Sequence, residues 1–384
     1  MRFFHLSDLH IGLKLFNKDL GEDQEYILNE IIRLAEEYQP DAVIIAGDIY
    51  DKAIPSAEAA LLFDRFISGL SRALPASEIM MISGNHDSAP RVNVFRNILQ
   101  YQHIHMIGIP PQEENEKIEK VVLHDAYGPV NFYLLPFVRP SMVKKAVGRE
   151  EEDERMLSYD ETLHRLIERE DICPEERNVL VSHQFYVPAS KKADQMERMD
   201  SEIITVGNID QVSADILERF DYAALGHIHK PMQVGSERIR YSGTPLACSV
   251  SEAGQEKGVI LVEMAEKGKV ETKVLPLIPL RKVQVISGSL EEVLLKGCDD
   301  YVSVSLTDKA DLDVFDMQDR IRNVFPNLLE IRREYQRIPD QGTGYVKGEE
   351  QSPFELCRSF LKEMSAEEEE LLRDIINELQ EETV

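Results

Sequence analysis

Five times along this chain an apolar, strand-like run ends in residues that packing has no use for. The runs end at Asp8-x-His10, Gly47-Asp48, Gly84-Asn85-His86-Asp87, Ser182-His183 and Gly226-His227-x-His229. Ala42-Val43-Ile44-Ile45-Ala46, which leads into Gly47-Asp48, is apolar without alternation and predicts a strand buried on both faces. In open α/β sheets, ligands gather beyond the carboxyl ends of the strands. The five segments therefore predict one shared edge of the core, although Asp8 and His229 stand far apart in sequence.

The spacing between them fits that layout. Residues 2–6 read as a strand. Ile27, Ile31, Leu34, Ala35 and Tyr38 mark one apolar face of a helix over 20–38, stopped by Gln39-Pro40. A second helix over 56–73 and a strand over 79–82 complete a strand–helix–strand–helix–strand order, the sign of a largely parallel sheet. Shorter strands follow at 104–107, 118–123 and 130–135, then a charged, mostly solvated helix at 151–170 and buried strands at 178–181 and 222–225. Strands at 232–235, 238–242, 257–263 and 270–275 are expected to close a second sheet.

Pro276 and Pro279 mark a boundary, which gives a first domain over 1–278. A small α+β unit follows over 279–336 in β-α-β-α-β order, then a linker over 337–351 and two helices over 352–384. Ser352-Pro353-Phe354-Glu355 and Ser365-Ala366-Glu367-Glu368 read as capping boxes. Phe354, Cys357, Phe360, Leu361 and Met364 form one apolar stripe; Leu371, Leu372, Ile375, Ile376 and Leu379 form another. Such stripes either pack back on the body or dock in a partner's groove.

Composition narrows the class. At 384 residues the chain is long enough for more than one domain, and its formal net charge is −27. That acidity argues against an autonomous, high-affinity DNA binder. It leaves room for a nuclease whose metals and partner supply positive charge. The sequence holds no membrane span, and the charges and histidines of Met1–His10 do not make a secretory signal. Four scattered cysteines (Cys173, Cys248, Cys298, Cys357) without a C-x-x-C motif suit a reducing cytoplasm.

The residues themselves indicate metal chemistry. Asp8, His10, Asp48, Asn85, His183, His227 and His229 are seven ligand-type side chains, too many for one ion. Imidazole mixed with hard oxygen suits Mn²⁺, Fe²⁺ or Zn²⁺. Two divalent ions sharing a carboxylate clamp both oxygens of a phosphoryl displacement. Formally +4 from the ions, −2 from the aspartates and −1 from a hydroxide leaves +1 to meet one phosphodiester charge. His86, next to Asn85, is the candidate catalytic histidine, acting on the leaving oxygen. Asp51 and Asp87 either orient ligand histidines from behind or simply form turns. His5, His103, His105, His124 and His164 read as structural.

These five segments resemble the calcineurin-like metallophosphoesterase superfamily. Within it the chain is similar to the branch of DNA-break-repair nuclease subunits along nearly its full length. The match includes Phe4–Gly12, Gly47-Asp48-Ile49-Tyr50-Asp51, Ile54-Pro55-Ser56, Ser83–Asp87, Leu225–Pro231, Tyr241–Leu246, and Ser251-Glu252 with Lys257-Gly258. The resemblance implies an α/β fold, a four-layer α-β-β-α sandwich, with a small α+β capping domain and C-terminal helices. It implies two Mn²⁺ ions: one on Asp8, His10, Asp48 and His229, the other on Asp48, Asn85, His183 and His227. It also implies an exonuclease on duplex ends and an endonuclease on single strands and hairpins, acting in repair and recombination. The implied partners are DNA, an SbcC-type ATPase subunit gripped by the tail, and a second copy, giving a homodimer within a heterotetramer. The alternatives are a phosphoesterase of the same fold acting on a small diester or a phosphoprotein, or a non-catalytic scaffold, which loss of ligands would reveal.

Overall fold

The computed structural model describes residues 1–148, 157–188, 202, 210–308, 314–333, 354, 357–358, 361 and 364–382. The chain opens with strand β1 (Arg2–Leu6), a short hairpin of β2 (Lys14–Leu15) and β3 (Lys18–Asp19), and helix α1 (Gly21–Tyr38). Next come β4 (Ala42–Ala46), α2 (Ala57–Ala73), β5 (Glu78–Ile82), the single turns α3 (Ala89–Val92) and α4 (Arg96–Leu99), and β6 (Ile104–Ile107). Gln39 adopts a left-handed backbone at the end of α1, and Pro40 prevents continuation. The Ser56 hydroxyl starts α2 by accepting from Ala59 N–H.

The second half begins with β7 (Glu119–Asp125) and β8 (Gly128–Leu135). Helices α5 (Lys144–Val147) and α6 (Tyr159–Glu168) follow, then β9 (Arg177–His183). A small parallel pair, β10 (Phe185–Val187) and β11 (Gln211–Ser213), precedes β12 (Tyr222–Gly226), β13 (Met232–Val234) and β14 (Ser236–Tyr241). Strands β15 (Lys257–Met264) and β16 (Val270–Leu277) close the main body.

Two six-stranded sheets result, ordered β16-β15-β1-β4-β5-β6 and β13-β14-β12-β9-β8-β7. Alternation along β1 shows how they stack. Phe3 joins Ile44, Met80, Phe132, Val179 and Tyr222 in a core between the sheets. Phe4 and Leu6 face the other way, against Ile27, Ile31, Leu62 and Phe66 of α1 and α2. The second sheet buries Leu180 and Leu225 under Leu163, Leu166 and Ile167 of α6. The layers are helix, sheet, sheet, helix, as the resemblance implies.

Two sequence expectations need correction. Residues 257–263 and 270–275 do not belong to the second sheet: β15 pairs antiparallel with β1, Phe3 opposite Val262, and β16 follows it. Ile260 and Val262 face the core between the sheets while Val259 and Leu261 face the helices. A strand apolar on both faces carries no mark of which sheet it joins. The charged helix is also less solvated than expected. It starts at Tyr159, where Ser158 and Glu161 form a capping box, and buries Thr162, Leu163, Leu166 and Ile167. Residues 149–156 lie outside the described residues.

At the end of the sandwich away from the motifs, Arg177 is buried and joins the two sheets. Its guanidinium donates to Asp125 Oδ2 at 3.0 Å, Gly128 O at 2.7 Å and Ala265 O at 2.9 Å. The ammonium of Met1 shares Asp125. Asp125 is half-buried and keeps the Met1 ammonium, so the cost of losing Arg177 lies in the donors withdrawn from Asp125, Gly128 O and Ala265 O. Arg177→Ala is expected to cost about 3 kcal/mol, read as a lower urea midpoint at an unchanged slope.

Beyond the body, β17 (Val283–Gly288), α7 (Leu290–Leu294), β18 (Tyr301–Leu306), α8 (Val314–Val324) and β19 (Leu328–Arg333) form a parallel three-stranded sheet with two helices. It has its own core around Val293, Val302, Val304, Ile321 and Phe325. Arg281 ties it to α1 through Asp23 at 2.7 Å and Glu22 at 2.6 Å, and Tyr301 OH donates to Asp23 at 2.8 Å. The last helix, α9 (Ala366–Glu382), begins at a formed capping box between Ser365 and Glu368. The first capping box and the linker over 337–351 lie outside the described residues, Phe354 excepted. Among the described residues, no helix is long and apolar enough to cross a membrane.

Candidate metal centre

β1, β4 and β5 run parallel in the first sheet, β9 and β12 in the second. Their carboxyl ends meet at one rim, stitched by backbone bonds. Asp8 N–H donates to Gly47 O at 3.0 Å, and His10 N–H to Asp48 O at 3.1 Å. Asp8, His10, Asp48 and His227 all have positive φ, between 43° and 99°. Non-glycine residues adopt that conformation at a cost, and such strain clusters where side chains must be aimed. All seven ligand-type side chains are drawn together. His183 Nε2 lies 3.0 Å from Asn85 Oδ1, 3.3 Å from Asp48 Oδ2 and 4.0 Å from Asp8 Oδ1. His227 Nδ1 lies 2.9 Å from Asn85 Oδ1, and the Nε2 atoms of His10 and His229 are 3.1 Å apart.

These contacts make sense around cations. His183 Nδ1 donates to Ala46 O at 2.7 Å, so a neutral ring aims the Nε2 lone pair at the oxygens of Asn85 and Asp48. Lone pairs facing lone pairs in a buried site repel unless a positive charge stands between them. Burial alone would lower the pKa of His183, but the Asp48 carboxylate and then Asp8 raise it to about 9. The cluster thus draws a proton where a metal ion would serve. Burial raises the pKa of Asp8. Burial works the same way on Asp48, but His183 and His86 outweigh it and hold Asp48 well below the usual range. Among the described residues, three-residue groups with ligand atoms within 4.8 Å of one another are Asp8–His10–His229, Asp8–Asp48–His183, His10–Asp48–His86 and, behind His229, His229–Cys248–Glu252. Imidazole and carboxylate in this proportion fit two borderline divalent ions.

His86 is placed differently from the other histidines. Its backbone N–H donates to Asp48 Oδ1 at 2.9 Å, and its Nδ1 lies 3.0 Å from the carbonyl of Asp51. Its ring stands perpendicular to His10, centroids 4.8 Å apart. Asp51 therefore acts on a histidine through its backbone; its carboxylate is 3.9 Å from His10 Nδ1, beyond hydrogen-bond range. Asp87 takes neither expected part fully. It gathers the N–H groups of Ile49, Tyr50 and Gly84 at 2.9–3.0 Å, tying the loop after Asp48 to the loop before Asn85. Of the remaining histidines, His5, His103, His105 and His164 have structural partners. His5, for example, sits between Tyr222 OH and Leu225 O in the core, and burial lowers its pKa to about 3.

Gly84 is required for space. A Cβ there would lie 2.1 Å from Asp48 Oδ1 and 2.4 Å from Asp48 N. Gly84→Ala is expected to displace Asp48, with metal content falling below half of wild type by elemental analysis in a folded protein.

Several functional contacts carry no motif signal of their own. Glu252 Oε1 lies 3.3 Å from His229 Nδ1, and Glu252 Oε2 takes Lys257 Nζ at 2.6 Å and Thr244 Oγ1 at 3.0 Å. Glu202 accepts from His229 N–H at 2.8 Å. Ser7 binds Asp8 and stands 2.6 Å from Ser242 Oγ. Gln24 holds the carbonyl of His10 at 2.7 Å. Ser7, Ser242, Thr244, Glu252 and Lys257 fall inside the matched segments, but Gln24 and Glu202 do not.

Two family models match the chain. Residues 279–365 match the type 5 capsule protein repressor C-terminal domain. Similar solved structures include TT1561 of Thermus thermophilus at 15% identity and TM-score 0.39, covering 71% of this chain and 98% of that one. A dimetal phosphatase from Danio rerio is 13% identical at TM-score 0.36, covering 71% and 98%. GAP50, the anchor in the inner membrane complex of Plasmodium, is 11% identical at TM-score 0.40, covering 90% and 99%. Residues 1–231, with every one of the five motif segments inside them, match the calcineurin-like phosphoesterase family, and the chain belongs to that family of metal-dependent phosphoesterases.

Proposed function

We propose that this chain is the nuclease subunit of a DNA-repair complex, cleaving phosphodiesters with two Mn²⁺ ions beside an SbcC-type ATPase. The observation that carries it is the convergence of His183 Nε2, Asp48 Oδ2 and Asn85 Oδ1 from two different sheets. Asp8, His10, Asp48 and His229 would hold one ion; Asp48, Asn85, His183 and His227 would hold the other. Bound as a pair, such ions act as Lewis acids on a phosphoryl oxygen and supply a hydrolytic water near neutral pH. The protein's own part is to hold the diester in line and to serve the leaving oxygen. His86 does the latter, its ring fixed by the Asp51 carbonyl so that Nε2 meets that oxygen.

The metal centre speaks for phosphoester hydrolysis; the DNA reading rests on the far end of the chain. Residues 279–336 form a capping domain on the body of 1–278, and a small-diester enzyme needs neither that domain nor the tail. Of the two tail stripes, Leu361, Leu371 and Ile375 are exposed while Phe354 and Ile376 are buried; the exposed members support docking. Leu61, Phe95, Ile98 and Tyr101 are exposed too, and support a dimer. The cysteines, all free among the described residues, suit the cytoplasm.

The test uses end-labelled hairpin DNA with Mn²⁺ or Mg²⁺, with and without the ATPase partner. Cleavage in Mn²⁺ is expected. No cleavage in either case, beside rapid hydrolysis of a small diester, would replace this reading with a small-molecule phosphodiesterase. Deleting 352–384 should abolish partner binding while small-diester hydrolysis continues; retained binding would return the tail to the body.

A further inference from the structure

One short segment at the rim is built more rigidly than a connecting loop requires. Pro136 and Pro140 bracket Phe137-Val138-Arg139 just after β8. Phe137 N–H donates to Ser83 O at 2.9 Å, and Gln184 Nε2 donates to Val138 O at 2.9 Å. Ser83 precedes Gly84-Asn85 and Gln184 follows His183, so the segment is pinned to two strand ends that carry metal-type ligands. The Phe137 ring stacks on His227, centroids 6.4 Å apart and planes 21° apart, and meets His183 edge-on at 6.3 Å. The Arg139 guanidinium lies 5.8 Å from the centre of the same ring. His227, Phe137 and Arg139 thus form a series leading outward from the metal centre.

We propose that Arg139 is a positioning residue that grips a phosphate flanking the scissile one on the cleaved strand, with Phe137 as its strut. The inference rests on the nuclease reading above. An aromatic neighbour restrains the guanidinium plane, and the planar fork matches two phosphate oxygens. Phe137 stands between Arg139 and the ligand histidines, so the phosphate it meets is not the one being cleaved. A chain of net charge −27 repels a polyanion at long range, so its cationic contacts must be placed individually. A small diester has no second phosphate and would not use Arg139.

The experiment uses the full chain with Arg139→Gln and Arg139→Lys. Binding of a labelled single-stranded oligonucleotide is measured in EDTA across a salt series. Glutamine is expected to weaken binding roughly tenfold and to reduce the slope of log affinity against log salt by about 0.7. Lysine restores the slope but not the full affinity. In Mn²⁺, the preference for oligonucleotide over thymidine 5′-(p-nitrophenyl phosphate) should fall roughly tenfold, mainly through KM on the oligonucleotide. An unchanged slope and preference overturns the proposal. So does an equal loss on both substrates, which marks a structural role, and so does wild-type protein with no salt-dependent oligonucleotide binding. The nuclease reading fails separately, if wild type hydrolyses the small diester and cuts no DNA.

Discussion

On the proposed nuclease reading, His86→Ala should lower kcat on DNA by about 10²–10⁴-fold while both metal ions stay bound. The side chain stands outside the seven ligand-type residues, and its ring is fixed by the Asp51 carbonyl at 3.0 Å. Its tie to Asp48 is made by the backbone N–H, which alanine keeps. Loss of the ring should therefore remove the group that serves the leaving oxygen and leave the ligands in place. A diester with a good leaving group needs less protonation, so p-nitrophenyl substrates should suffer less than DNA. Metal stoichiometry by elemental analysis, beside kcat on both substrates, checks this. Loss of one ion would make His86 a ligand instead, a reading that its grouping with His10 and Asp48 keeps open to measurement. Full activity would remove it from the chemistry.

Glu252→Ala should weaken metal binding by about 10–100-fold, because a carboxylate behind a ligand histidine fixes its tautomer and orientation. It should also destabilise the metal-free protein by about 3–5 kcal/mol. Lys257 and Glu252 are both buried, and truncating the acid leaves an ammonium with only His229 O at 3.0 Å and Gln255 Oε1 at 2.9 Å. Burial alone would raise the pKa of Glu252, but His229 and Lys257 hold it well below the ordinary value. A carboxylate depressed in the folded state stabilises above its unfolded pKa, about 4.3, and loses that contribution as pH falls further. The wild-type and variant proteins should thus differ most above pH 4.3 and converge in acid. Urea titrations in EDTA at several pH values, with metal titrations at neutral pH, test both parts. Equal metal affinity in the two proteins would reduce Glu252 to a packing residue.

Much of this molecule was legible in its sequence because buried strands and polar strand ends are local patterns. The helix over 20–38 had its apolar stripe and its stop. The ligand-type residues stood where apolar runs ended, and their side chains meet at the shared rim. What misled was also physical. Residues 258–262 are apolar on both faces in a way that suits either sheet, and α6 hides a four-residue buried face among charges. Glu252 and Phe137 gave little signal, since a lone glutamate or phenylalanine in a loop acquires meaning only from what folds against it.

By itself, then, the sequence determined the kind of chemistry: imidazole, amide and carboxylate, no cysteine, at the ends of five buried strands. The tertiary structure decided which of these meet. Asn85 Oδ1 lies between His183 and His227 only because the two sheets stack with their carboxyl ends together. His10 faces His229 only because their strand ends lie across that same rim. Sheet pairing and stacking depend on contacts between distant segments, and no local pattern encodes their distances. The residue types are local and could be read; the geometry that lets them hold a cation is not.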